Sequence, residues 1–330
     1  MNFWKKLKKP IMALAPMADV TDPAFRRIIA KYGKPDVMWT EFISADGLFL
    51  GGYDHLIKDL SFTDEERPIV AQFFTSKPEM MQKASELAVD LGFDGIDVNM
   101  GCPDKSVEKQ GSGAAHIKDY VHAQEIIRAA KRGAQKNGKN LPVSIKTRIG
   151  YNKNELESWL PNLLETKPAV ITIHARTRKE MSLVPAKWEL VKRAVEIRNE
   201  WRDSDGNKSE TLVLGNGDVI NLKDAEEKVK ETGCDGVMLG RAIFGNPWLF
   251  SKKIGRDQVS IPERLQVMIE HIKLFEELLP HKSFAIMKKH FKAYVNGWPD
   301  AKELRIKLME AKNSDEVGDI VKEYLKKTSI

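Results

Sequence analysis

Short apolar runs and amphipathic stretches alternate along most of this chain. Eight apolar runs recur, at residues 11–16, 37–41, 69–74, 95–100, 143–147, 169–174, 212–215 and 236–240. Their length and β-branched content predict short buried strands. Between them, apolar residues fall at helical spacing over 23–32, 79–91, 120–136, 155–164, 188–201 and 222–231. Asp22 precedes Pro23, which predicts an N-cap followed by proline in the first turn. Eight strand–helix repeats predict parallel strands joined by crossover helices, hence an α/β (β/α)8 TIM barrel. A doubly wound open sheet would give a similar pattern.

The strand pattern stops near Phe250. Residues 255–262 are expected to form a linker. Beyond them the spacing predicts four short helices, at 264–279, 283–296, 301–310 and 315–325, with Asp315 as N-cap of the last. The expected organisation is a barrel over 1–254 and a small C-terminal α-helical bundle over 255–330.

Composition narrows the class. Hydrophobic residues make up 42% and charged residues 30% of 330 residues, ordinary for a globular protein. No run approaches the roughly 18 apolar residues of a membrane span. The N-terminus carries Lys5, Lys6, Lys8 and Lys9 with no signal-length apolar core behind them, so it is expected to be a solvated lead-in. The chain has only two cysteines, Cys102 and Cys234, which excludes a disulfide framework and a cysteine-rich zinc site. A reducing, cytoplasmic setting follows as an expectation, with no metal and no obligate protein partner. A net charge of +6 is compatible with a polyanionic partner.

The candidate chemistry lies at the C-terminal ends of the strands, where barrels of this kind build their sites. Those ends carry Glu41, Gln72, Asn99 and Cys102, Lys146 and Arg148, His174 and Arg176, Asn216 to Asp218, and Gly240 with Arg241. Pro103 keeps Cys102 out of a helix, so the thiol is expected on a turn directly after its strand. Gly215-Asn-Gly-Asp218 and Gly240-Arg241 are glycine turns after the last two strands, a common phosphate position in such barrels. A phosphorylated aromatic cofactor fits this set. Flavin mononucleotide (FMN) would place its phosphate there and its ring across Gln72, Lys146 and His174. No G-x-G-x-x-G run opens a helix, so a Rossmann dinucleotide domain is not indicated.

Six motifs, in order, resemble the tRNA-dihydrouridine synthases. They are Ala15-Pro-Met-Ala-Asp-Val-Thr-Asp22, Asp97-Val-Asn-Met-Gly-Cys-Pro103 with Gly111-Ser-Gly-Ala-Ala115, Ser144-Ile-Lys-Thr-Arg-Ile-Gly150, Ile173-His-Ala-Arg-Thr-Arg178, Gly215-Asn-Gly-Asp218 and Leu239-Gly-Arg-Ala242. The tail from Met287 to Arg305 is similar to the family's helical domain. The resemblance implies an FMN-dependent reductase acting on the C5=C6 bond of uridine in tRNA, with NADPH or NADH as reductant. Hydride would go from the flavin to C6 and a proton from Cys102 to C5. By the same resemblance Pro16, Met17, Gln72, Lys146, His174, Asn216, Gly217, Asp218, Gly240 and Arg241 bind the cofactor. Asn99, Arg148 and Arg176 would line the substrate site.

Residues 281–312 hold eight Lys/Arg against three Asp/Glu. With the resemblance, Lys288, Lys289, Lys292, Arg305 and Lys307 become candidate tRNA phosphate contacts. One stretch departs from the family pattern. After Arg178, Glu180, Ser182, Val184 and Lys187 stand where the family usually has Gln, Tyr, Gly and Asp. A flavin reductase of free pyrimidines, or a tRNA-binding flavoprotein without activity, would share part of this pattern.

Overall fold

The computed structural model describes residues 2–328. Eight parallel strands form one sheet: β1 (Ile11–Leu14), β2 (Met38–Ser44), β3 (Ile69–Phe74), β4 (Gly95–Met100), β5 (Val143–Arg148), β6 (Val170–His174), β7 (Leu212–Asn216) and β8 (Gly236–Leu239). Their spatial order is β1-β8-β7-β6-β5-β4-β3-β2. Every sequence neighbour is a spatial neighbour, with none of the order reversal of a doubly wound sheet. A parallel bridge from Ala13 to Val37 joins β1 to β2, and the Leu14 N–H donates to the Val37 carbonyl at 3.1 Å. The ring is therefore a (β/α)8 barrel.

The two-residue period of the strands decides what faces inward. In β4, Ile96, Val98 and Met100 pack into the layer shared with the outer helices, while the alternate residues Asp97 and Asn99 face the interior network. In β5, Val143 and Ile145 pack outward, and Ser144 and Lys146 make interior hydrogen bonds. The lower interior is apolar, with Ile11, Ala13, Trp39, Val70, Val170, Leu214 and Met238 in one cluster. Trp4 belongs to that cluster: it is 3% exposed, with its ring 5.7 Å from Trp39. The lysine-rich start is thus not the solvated lead-in its composition predicts, because Phe3–Lys6 forms a 3-10 turn that tucks Trp4 under the barrel.

Asp22 caps the Pro23–Tyr32 helix, its Oδ1 accepting the Phe25 N–H at 2.9 Å. The helix predicted over 120–136 stops at Ala134, and a small hairpin follows, turning at Asn137 and Gly138. Both turn residues have positive φ, the Asn-Gly preference of a tight hairpin.

The C-terminal region is helical: Ile261–Leu278, Lys288–Tyr294, Ala301–Leu308 and Ser314–Thr328. The expected linker is largely absorbed. Arg256–Gln258 is a 3-10 turn, and Pro262 sits in the first turn of a helix capped by Ser260 and Glu263. The segment 283–296 splits into a 3-10 turn, Phe284–Met287, and the helix Lys288–Tyr294. The last helix is capped by Asn313 rather than Asp315, since the Asn313 Oδ1 accepts the Glu316 N–H at 2.9 Å. Leu265, Ile272, Phe275, Phe291, Leu304 and Val317 build a second apolar core, which also takes Ala24 and Ile28 from the first barrel helix. Lys282 adds a polar anchor: its Nζ lies 3.0 Å from Glu41 at β2 and 2.8 Å from Asp59. Among the described residues, no helix is long and apolar enough to cross a membrane.

Candidate active site

Cys102 follows β4 on a turn outside any helix. Asn99 makes that turn: its Oδ1 accepts the Gly101 N–H at 3.1 Å and the Cys102 N–H at 2.9 Å. A backbone N–H can only donate, so these bonds fix the side-chain amide, and its Nδ2 donates to Gln72 Oε1 at 3.0 Å. Gln72 in turn donates to Asp97 Oδ2 at 2.5 Å. The carbonyl of Cys102 accepts the Ala114 N–H at 2.9 Å. Gly113 lies behind that bond with φ +62°, and a Cβ there would stand 2.7 Å from the Cys102 carbonyl oxygen. The glycine-rich run thus supports the cysteine turn from below. Burial pushes the Cys102 thiol above its ordinary range, outweighing Arg148 and Lys146 nearby.

Strand register collects the other groups. Asn99 is level with Lys146, and Arg148 is level with His174, which is level with Asn216. Lys146 donates to Asn216 Oδ1 at 3.2 Å, and Asn216 donates to the Met238 carbonyl at 2.8 Å. Burial, and next the Arg148 charge, lower the Lys146 ammonium to about 8. Burial and the same cations hold the His174 imidazole well below its usual range. Asp97 is pushed up to about 6 by burial, against the bonds from Ser144 and Gln72.

A cavity of about 210 Å³ opens at this end of the barrel. Pro16, Met17, Lys146, His174, Arg176, Asn216, Gly217, Asp218, Gly240 and Arg241 line it, together with Ser182. Asp218 bridges two arginines, bonding Arg176 through Oδ2 and Arg241 through Oδ1, the latter at 2.6 Å. The Arg176 bond is the main cause that holds its carboxyl below the usual range. The preceding Gly217 has φ +132°, which lets the chain turn there without a side chain meeting Ala186. Three cations face this cavity against one carboxylate, and Lys146 has a single neutral hydrogen-bond partner. That donor set suits an anionic, phosphate-bearing group.

The remaining expected residues lie elsewhere. Gln72 is fully buried beneath the mouth and meets it only through Asn99. The Arg148 guanidinium is taken up by the carbonyls of Gly101 at 2.8 Å, Thr177 at 3.0 Å and Met181 at 2.9 Å. Arg305 donates to the Val295 carbonyl at 2.8 Å. Lys289 and Lys292 are exposed and Lys288 half-buried, all on the C-terminal helices and outside the cavity. A larger cavity, about 920 Å³, opens at the opposite end, among the starts of β5, β6 and β7, and holds none of the expected residues.

Two contacts of the loop that departs from the family pattern were not expected from the sequence. Ser182 reaches the smaller cavity from the loop after β6, which has no periodic pattern to place it. Glu180 and Lys187, two of the departures from the family pattern, form an ion pair with each other across that loop.

Comparison with known proteins shows the family. Residues 13–329 match the family model described as Dihydrouridine synthase (Dus). The chain is 38% identical to the Bacillus subtilis (strain 168) protein named Probable tRNA-dihydrouridine synthase 2, over 99% of this chain and 97% of that one. It is also 38% identical to the Probable tRNA-dihydrouridine synthase of Staphylococcus aureus (strain COL), over 98% and 95%. Among solved structures, histamine dehydrogenase from Rhizobium sp. 4-9 superposes with a TM-score of 0.53 at 13% identity, over 80% of this chain and 49% of that one. At that identity the likeness is one of fold.

Proposed function

The chain belongs to the dihydrouridine synthase family, and from that premise we propose that it reduces the C5=C6 bond of specific uridines in tRNA, with FMN as a tightly bound cofactor and NADPH or NADH as reductant. When bound, FMN supplies the hydride for C6 of the uracil ring. Lys146, His174, Asn216, Gly217, Gly240 and Arg241 are the residues that would hold it, with Pro16 and Met17 against the ring. The excess of cations over carboxylates in that cavity supports an anionic cofactor.

The second half of the reaction falls to the chain itself. Cys102 gives its Sγ proton to C5 of the uracil. A general acid must hold its proton at working pH. The raised thiol does so, whereas a nucleophilic cysteine needs the opposite shift. The turn on which Asn99 fixes the Cys102 backbone at the end of β4, with Lys146 and Arg148 near the thiol, is the observation that carries the reading. Asn99 positions the thiol, while Arg148 steadies the same turn through the Gly101 carbonyl.

The uridine has to leave its stack to reach the barrel mouth. The barrel, over residues 1–254, performs the chemistry, and the helices of 255–330 grip the tRNA. Lys288, Lys289, Lys292 and Arg305 are the proposed contacts there, and such phosphate contacts make binding fall with salt. With tRNA as substrate, the proposed setting is the cytoplasm. The test is dihydrouridine formation in an unmodified tRNA transcript, read by mass spectrometry with NADPH or NADH present. Reduction of free uridine but not of tRNA would contradict the proposal.

A further inference from the structure

The loop after β6 is held with unusual firmness for an exposed segment. Two nearly buried arginines, Arg148 and Arg176, are 5% and 2% exposed. Each binds backbone carbonyls of this loop. Arg148 takes Thr177 and Met181, and Arg176 takes Val184 at 2.6 Å. Removing guanidinium charge from water is costly, so such bonds fix the loop rather than decorate it. The Glu180–Lys187 pair closes its base, and Glu180 Oε2 also accepts the Thr177 N–H at 2.8 Å. Met181 is held at φ +53°, a left-handed conformation that disfavours ordinary side chains.

What this scaffold presents is apolar. Leu183 is 85% exposed and Met181 37% exposed at the apex, with exposed Lys179 beside them. A lone exposed leucine is unremarkable on a surface. This one stands on a braced loop tied to the catalytic turn, because one guanidinium, that of Arg148, bonds both the Gly101 carbonyl and the Met181 carbonyl. The Met181 backbone therefore lies one guanidinium away from the turn that carries Cys102, and the loop's Ser182 reaches the cavity.

We propose that Leu183, supported by Met181, is a wedge that enters the tRNA stack where the target uridine leaves it. The inference rests on the tRNA reading above. Extruding a base opens an apolar gap between its neighbours, and an apolar side chain inserted there replaces the lost stacking. The occupant is an RNA strand because the apex joins an apolar tip to a cation, the pairing that accepts a base face and a phosphate together. Leu183 is a positioning residue for the substrate and does not line the cavity assigned to the cofactor.

The experiment compares wild type, Leu183→Ala and Leu183→Met on an unmodified tRNA transcript that the wild type modifies. Flavin reduction by NADPH and the thermal midpoint are read on the same samples. A 2-aminopurine next to the target uridine reports extrusion by fluorescence. Leu183→Ala is expected to lower kcat/KM on tRNA about tenfold or more and to reduce the fluorescence rise. Leu183→Met is expected to stay within about twofold of wild type, since it keeps the apolar volume. Flavin reduction and midpoint are expected not to change. Leu183→Ala with wild-type activity and fluorescence would overturn the wedge, as would equal slowing of flavin reduction. A wild type that forms no dihydrouridine in any tRNA would overturn the function itself, and the wedge with it.

Discussion

Asn99 holds Cys102 by its backbone: the Asn99 Oδ1 accepts the Cys102 N–H at 2.9 Å and the Gly101 N–H at 3.1 Å. The residue that aims the thiol is thus on the strand, and the thiol is on the turn. Asn99→Ala leaves two N–H groups at the turn without acceptors, which costs about 1–3 kcal/mol each where they are buried. The expected result is a fall in dihydrouridine formation of roughly tenfold to a hundredfold with flavin reduction by NADPH nearly intact. Stopped-flow absorbance on the two half-reactions separates these. Equal loss in both would place Asn99 at the cofactor instead.

The Cys102 thiol is raised by burial, so it stays protonated at pH values where an ordinary cysteine begins to ionise. Uridine reduction is therefore expected to hold level from about pH 6 to about pH 8.5 and to fall only above that. Alkylation by iodoacetamide, which needs the thiolate, should be slower at about pH 8 than for a free thiol. Rapid alkylation at neutral pH would contradict the assignment.

Lys146 is lowered to about 8, so in the unliganded protein it loses its charge as pH rises through that value. A phosphorylated cofactor favours the charged form. Its affinity should be strongest below pH 8 and weaken above it. Lys146→Met is expected to weaken binding at low pH and flatten the dependence. Flavin fluorescence titrations at about pH 7 and about pH 9.5 measure both effects. An unchanged slope in Lys146→Met would exclude this lysine as the cause.

Lys282 neutralises Glu41 and Asp59 at the junction of barrel and helices, where its side chain is 14% exposed and theirs are 8% and 12%. Lys282→Met leaves two nearly buried carboxylates facing each other. The expected loss is about 3 kcal/mol, on the order of 5–10 °C in Tm, by calorimetry. Glu41, whose carboxyl burial already raises, should take up a proton once Lys282 is gone, so the deficit is expected to shrink toward pH 5. A variant as stable as wild type at neutral pH would show the clamp to be unimportant.

Much of this architecture was legible in the chain. β3 and β4 run over the residues their apolar runs predict, because each run is bounded by turn formers and fully buried. In β4 and β5 the polar residues Asp97, Asn99, Ser144 and Lys146 alternate with apolar ones at period two, and the structure turns them inward. Most of the residues expected at the cofactor meet in one cavity because they stand at neighbouring strand ends, with His174 level with Asn216. What escaped was set by tertiary contact. Trp4 lies among lysines, and only the barrel floor around Trp39 explains its burial. Gln72 stands at a strand end like the others, yet its amide turns down to Asp97. Lys282 looks like one more basic residue of the tail until Glu41 and Asp59 are seen opposite it. The loop after β6 has no period at all. Its shape comes from Arg148 and Arg176 reaching it from the barrel.

The account turns on Cys102 as the proton donor for a uridine in tRNA. The direct measurement is to incubate unmodified tRNA transcripts with wild type or Cys102→Ala, FMN and NADPH, and to map dihydrouridine by mass spectrometry. Wild type is expected to reduce specific uridines, while Cys102→Ala still binds flavin and accepts hydride from NADPH but accumulates almost no dihydrouridine. Full multiple-turnover activity in Cys102→Ala would contradict it.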